Sequence, residues 1–153
     1  MIFALDTNVL AYVEGINGTE REAMARDLIE QLPLKFALIP AQALGELYNV
    51  LTGKAAWPRE QARAAVLAWR DSFAPAPSTI SALIDAVDLA TDHRLSIWDS
   101  LMVAVAAENG CRVFLSEDLQ EGFSWRGMTI VNPFATEQHP LLASLLKRTS
   151  DDV

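Results

Sequence analysis

Basic residues are scarce in this chain of 153 residues: 12 Lys and Arg stand against 20 Asp and Glu, a formal charge of −8 at pH 7. That reverses the electrostatic footprint of a nucleic-acid binder, so any phosphate-bearing substrate has to be attracted locally. Arg59, Arg63, Arg70, Lys54, Arg112 and Arg126 are the cations with a claim on that task. Cysteine is nearly absent. Cys111 stands alone at the entry to a short apolar run; it excludes a disulfide within the chain, suits a reducing cytoplasm and is expected to pack as a small apolar group. His93 and His139 are the only histidines, which leaves a zinc site poorly supplied. No apolar run approaches the ~20 residues of a membrane span, and Met1 leads without a basic start into a run that ends at Asp6. Neither a membrane segment nor a signal peptide is expected, and the expected location is the cytoplasm.

Linkers and repeats are lacking as well. One domain over residues 1–148 is expected, followed by a frayed tail over 149–153. With 51% hydrophobic residues and four Trp, the chain has ample material for a core, which at this length buries ~70% of the unfolded surface.

Four carboxylates stand out by their settings. Met1 to Leu5 is a short apolar run, readable as a buried strand, that delivers Asp6-Thr7-Asn8 to its carboxyl end. Arg112 to Leu115 repeats the arrangement and hands over to Ser116-Glu117-Asp118. In open parallel sheets ligands bind at that edge. Glu46 lies off the apolar stripe of a helix carrying Leu44, Leu47, Tyr48 and Leu51, and Asp99 lies in the first turn of another helix, where the helix dipole favours an acid. Taken singly, each has a local explanation: Ser96 caps the Asp99 helix, Asp6 and Asp118 begin Asx turns, and Glu46 is a solvated helix residue. Taken together, with no basic neighbour in sequence, they read as carboxylates that repel unless a cation joins them. All-oxygen sites select hard cations such as Mg²⁺ or Mn²⁺. Thr7, Asn8 and Ser116 are the polar side chains placed to orient ligands or water, with caps and turns as their other reading.

The remaining elements alternate. A helix is expected from Thr19, with a capping box through Glu22, then a strand over Lys35 to Ile39 stopped by Pro40, then the Glu46 helix. Pro58 opens a helix with Ala62, Val66, Trp69 and Phe73 on one face, and Ala74 to Pro77 breaks it. Ser78 or Thr79 caps a helix expected to turn Ile80, Leu83, Ile84 and Val87 to the core. The Asp99 helix is expected to bury Trp98, Leu101, Met102 and Val105. A Gly122 to Gly127 connection leads to a last strand over Met128 to Val131, and Pro140 to Arg148 reads as an amphipathic helix. This order indicates an α/β fold, a three-layer sandwich with a central, mostly parallel sheet flanked by helices. The 41–73 helical pair carries more large apolar groups than one seam needs, so part of it is expected to receive a partner.

Asp6-Thr7-Asn8-Val9-Leu10, the lone Glu46, Trp98-Asp99-Ser100-Leu101 and Leu115-Ser116-Glu117-Asp118-Leu119 together resemble the motifs of PIN-domain proteins, most of all the VapC-type toxin ribonucleases of toxin–antitoxin pairs. The resemblance spans about residues 1–134. It implies a magnesium- or manganese-dependent endoribonuclease acting on RNA, usually a homodimer, held inactive by a small antitoxin protein. Asp6 and Asp99 would then be the principal metal ligands, Glu46 would complete the pocket, and Asp118 would take the fourth position with Ser116 before it. Either Glu117 or Asp118 could face the metal, and one or two ions could act. Two rivals remain. One is a PIN-like module that binds RNA or protein without turnover; the other is an aspartyl-nucleophile phosphatase, which Asn8 and the absence of lysine between residues 55 and 146 disfavour.

Overall fold

The computed structural model describes residues 1–151, with side chains placed through Leu146; the expected tail over 149–153 lies outside the residues described in full. Along the chain come β1 (Ile2–Leu5), α1 (Thr7–Val13), α2 (Thr19–Gln31), β2 (Ala37–Pro40), α3 (Ala41–Thr52), α4 (Arg59–Ser72) and β3 (Ala74–Ala76). Then follow α5 (Ile80–His93), α6 (Ile97–Glu108), β4 (Cys111–Leu115), β5 (Ser124–Trp125), β6 (Met128–Val131) and α7 (Pro140–Asp151). Among the described residues the strands form one six-stranded sheet in the order β3-β2-β1-β4-β6-β5. All neighbours are parallel except β5 on β6.

The sheet centre is built from its most apolar segments. Phe3 to Leu5 and Val113 to Leu115 are fully buried, as unbroken apolar runs require when helices cover both faces of a strand. The chain moves from β1 through β2 to β3 in one direction, then returns to place β4 on the other side of β1. The strand order therefore reverses between β1 and β4, and the crevice beyond their carboxyl ends is where open α/β sheets bind ligands. α1 packs on α2 and α3, α3 on α4, and α5 chiefly on α6. α6 is apolar all round and buried from Ser100 to Ala106, which fits a helix enclosed by its neighbours. No helix among the described residues is long and apolar enough to cross a membrane.

Several local expectations are corrected. Leu34–Phe36 forms a 3₁₀ turn, so β2 begins at Ala37 and includes Pro40. The Ala74–Pro77 break contains β3, which pairs with β2 at the sheet edge, where a proline without an N–H is tolerated. The Gly122–Gly127 connection contains β5, closed on β6 by a turn in which Arg126 (φ 48°) and Gly127 (φ 80°) are left-handed. Gly18, not Thr19, caps α2, and no side chain bonds there.

The largest correction concerns α5. Its buried residues are Ala82, Ala86 and Leu89, while Ile80 (77% exposed), Leu83 (37%), Ile84 (58%) and Val87 (47%) face outward. Trp98, expected in the core, is 61% exposed at the start of α6. Both stripes of α5 are apolar, and the one with small side chains takes the packed position, because side-chain size at the contact sets how near two helices approach.

Candidate active site

The β1–β4 and β4–β6 ladders continue past their last residues: the Asp6 N–H donates to the Leu115 carbonyl at 3.0 Å, and the Ser116 N–H to the Val131 carbonyl of β6 at 3.0 Å. These bonds bring the Asp6-Thr7-Asn8 and Ser116-Glu117-Asp118 segments side by side at the reversal of strand order. Asp6 is buried and caps α1, its Oδ1 accepting from the Thr7 N–H at 2.7 Å. Its Oδ2 accepts from the Ser116 hydroxyl at 2.7 Å and from the Asn8 amide at 3.2 Å. The same Asn8 Nδ2 lies 3.2 Å from Asp118 Oδ2 and 3.3 Å from Ser116 Oγ, while Asn8 Oδ1 accepts from the Glu117 N–H at 3.3 Å. Asn8 thus holds the two acid-bearing segments in fixed relation. The Ser116 oxygen in turn accepts from the Asp118 and Leu119 N–H groups at 3.2 and 3.3 Å.

Glu46 and Asp99 enter from the helices. The Thr7 hydroxyl donates to Glu46 Oε2 at 2.7 Å, and Gln42 Nε2 donates to Glu46 Oε1 at 2.8 Å and to the Trp98 carbonyl at 3.0 Å. Gln42 therefore joins α3 to the first turn of α6, where Ser96 caps the helix by accepting from the Asp99 N–H at 3.0 Å. Sequence reasoning passed over Gln42; its signal was the i, i+4 spacing to Glu46. Gln42 Oε1 is buried and finds no donor among the described residues.

Glu117 and Asp118, adjacent in sequence, part company. Glu117 takes the Tyr12 O–H at 3.1 Å and an ion pair with Arg21 at 3.0 Å, and Arg21 itself lies over the Phe134 ring. Asp118 stays on the Asn8 side with Asp6. Neither Tyr12 nor Arg21 carried a sequence signal, since only the fold sets them beside the end of β4.

The four carboxylates feel one another. Burial, and after it the charges of Asp99 and Glu46, raise the Asp6 pKa from the ordinary 3.8 to about 6, even though Ser116 and Thr7 bond its charged form. Asp99 is raised in the same direction by burial, then by Glu46 and Asp118. Among the described residues no Lys or Arg pairs with Asp6, Glu46, Asp99 or Asp118. Crowded, uncompensated oxygen donors beside an orphaned amide oxygen fit a hard divalent cation. Among the described residues no three His, Cys, Asp or Glu side chains are arranged to hold a metal ion together. Magnesium tolerates that spacing, because it keeps several waters and needs only one or two carboxylates.

The model of the PIN domain family matches residues 3–123. Among solved structures the chain is similar to DNA-bound VapBC from Salmonella typhimurium, with a TM-score of 0.64 and 19% identity over 85% of this chain and 96% of that one. It is also similar to Mycobacterium tuberculosis VapC20, a toxin that cleaves the sarcin–ricin loop, with a TM-score of 0.63 and 20% identity over 73% and 86% of the two chains. A toxin–antitoxin complex from Klebsiella pneumoniae gives 0.63 and 17% over 86% and 97%. At these identities the likeness is one of fold. No curated protein matches the chain significantly.

Proposed function

The chain belongs to the PIN-domain family, and from that premise we propose that it is a Mg²⁺- or Mn²⁺-dependent endoribonuclease, the toxin of a toxin–antitoxin pair. The observation that carries this reading is the convergence of Asp6, Glu46, Asp99 and Asp118 at the reversal of strand order with no side-chain cation among them. The structural likeness to VapC20 and to two toxin–antitoxin complexes supports it.

Asp6 and Asp99 are assigned as principal ligands, Glu46 and Asp118 as the acids completing the pocket. A divalent cation bound there supplies positive charge for the scissile phosphate and leaving oxygen and makes a water more acidic. The protein's share is orientation. Ser116 and Asn8 fix one oxygen of Asp6, Thr7 fixes one oxygen of Glu46, and Asn8 holds Asp118 in register. Such supporting bonds keep a ligand's lone pairs aimed and remove the entropy of searching for the geometry. Glu117 is assigned outside the pocket, because Arg21 pairs with its carboxylate and the Tyr12 O–H donates to it.

Two protein partners belong to the same reading. A second copy is assigned to the outer stripe of α5, since a self-complementary apolar face suits a two-fold pair. An amphipathic antitoxin segment is assigned to the groove between α3 and α4, about 520 Å³ in volume and lined by Leu44, Tyr48, Val66 and Leu67.

The second reading is a module that binds without turnover, favoured by the −8 charge and by the absence, among the described residues, of three acids already arranged to hold one ion. Incubation of the purified chain with a structured RNA separates the two. Cleavage that appears with Mn²⁺ or Mg²⁺ and stops with chelator is the expected result; RNA left intact under both conditions excludes the nuclease.

A further inference from the structure

The crevice lined by Glu46 and Asp118, two of the four acids, continues beyond them. It runs between α1 and α3 as a cavity of about 1050 Å³ whose lining begins at Asp118 and Glu46, passes Asn49 and ends at the turn carrying Lys54 and Trp57. Glu46, Asn49 and Gly53 follow one another at helical spacing, so a single face of α3 forms one wall from the acids to that turn.

The turn is stiff. The Ala56 N–H donates to the Gly53 carbonyl at 3.1 Å and the Trp57 N–H to the Leu51 carbonyl at 2.8 Å. Ala56 is held at φ 53°, a left-handed conformation rare for a residue with a side chain. Trp57 packs partly against the core while also lining the cavity. Its indole is therefore presented from an anchored backbone.

The cation inventory singles out one residue. Arg70 and Arg126 pair with Asp71 and Asp85. Arg59 and Arg63 line the separate groove between α3 and α4. Arg112 is near the start of β4, at the far end of the strand from Ser116. Lys54 alone of the six candidates lines the acid-bearing cavity, exposed and with no ion pair or hydrogen bond among the described residues. In a chain of net charge −8, a lone unpaired cation at the mouth of an acidic crevice has an anion to meet.

We propose that this cavity seats the single-stranded RNA adjoining the scissile phosphate, with Lys54 on a backbone phosphate, the Trp57 ring stacked on a base and Asn49 bonding to a base edge. The proposal rests on the nuclease reading and adds the substrate's seat to it. A phosphodiester cut at the acids must place its neighbouring nucleotides in whatever space is continuous with them. A planar ring, one cation and an amide are the means by which proteins hold unpaired nucleotides. A helical peptide needs apolar anchors at three- and four-residue spacing, and Leu44, Tyr48, Val66 and Leu67 offer these in the other groove.

Binding of a fluorescent single-stranded RNA decamer, measured in an Asp99→Asn background so that the probe stays intact, tests this. Lys54→Glu is expected to weaken binding about ten-fold and to lower the slope of log affinity on log salt by about 0.7. Trp57→Ala is expected to lose about ten-fold and Trp57→Phe to retain most of the affinity, with circular dichroism checking that each variant is folded. Arg112→Glu, the same charge change at the far end of β4, is expected to shift binding less than about two-fold, as its distance from the crevice requires. Parental affinity in both Lys54→Glu and Trp57→Ala, or an equal loss in Arg112→Glu, overturns the proposal. Normal RNA seating by a wild-type chain that cleaves nothing upholds the groove and sinks the nuclease reading, whereas cleavage indifferent to Lys54 and Trp57 does the reverse.

Discussion

The acid corner and the outer face of α5 break opposite rules. At the corner the fold crowds carboxylates without a side-chain cation, and burial raises Asp6 to about 6. On α5 it leaves Ile80, Leu83, Ile84 and Val87 partly in water, although full burial of an exposed side chain of this kind is worth roughly 1.5–3 kcal/mol. Neither feature stabilises the isolated chain, and each would be relieved by something the chain does not contain: positive charge in one place, apolar surface in the other. Departures from local consistency gather where a protein meets other molecules.

The comparison breaks most sharply at Asp99. Asp99→Asn is expected to keep the fold and lower metal-dependent RNA cleavage by more than about 100-fold, since ligand-supporting groups alone are worth roughly 10–100-fold. Ser116→Ala is expected within that smaller range. Initial-rate assays on one RNA, with circular dichroism as the fold control, decide both; full activity in Asp99→Asn removes this acid from the chemistry.

Next in size is the pH response of the metal-free protein. A carboxyl raised from 3.8 to about 6 binds its proton more tightly when folded, so its contribution is fully present below pH 4 and is lost as pH rises through about 6. A displacement of that size is worth about 3 kcal/mol. Thermal melts in chelator from pH 4 to 8 should therefore show wild type losing stability relative to Asp6→Asn as pH rises, and parallel curves refute a carboxyl raised chiefly by burial. Millimolar Mn²⁺ at pH 7.5 should act in the opposite sense and raise the melting temperature of wild type by several degrees, as about 2.7 kcal/mol follows from a ligand at 100 times its Kd. The rise should vanish in Asp99→Asn.

The smallest effects sharpen the α5 side. Ala86→Leu, on the buried stripe, should cost about 1–3 kcal/mol in urea unfolding through overpacking. Ile84→Asp, on the exposed stripe, should change the stability of the monomer by no more than about 0.5 kcal/mol while halving the mass seen by light scattering. A mass that does not respond separates the stripe from self-association.

The layout was legible in the sequence wherever one force acted alone. Phe3 to Leu5 and Val113 to Leu115 have nowhere to go but the sheet centre, and the segments after them were bound to meet at its edge. Periodicity failed on α5 because it detects an apolar face without saying what the face packs against; Ala82 and Ala86 won the inner position by being small. β3 and β5 were missed because two or three residues carry no period, and Pro75 reads locally as a break. At the corner, sequence favoured Asp118 but left open that Glu117 faces the metal instead. What separates them is Arg21 and Tyr12, brought to Glu117 across roughly a hundred residues of chain, a partnership visible only in three dimensions.

The sheet's two outermost strands have a last consequence. At one side stands Ala74–Ala76 with a proline at its middle, and at the other a strand of two residues turned back antiparallel. A rim so short, and on one side lacking a donor, gives a foreign strand almost no ladder to extend. Fibre-like growth through backbone pairing is thereby discouraged at both margins, and whatever joins this molecule must dock by its side chains.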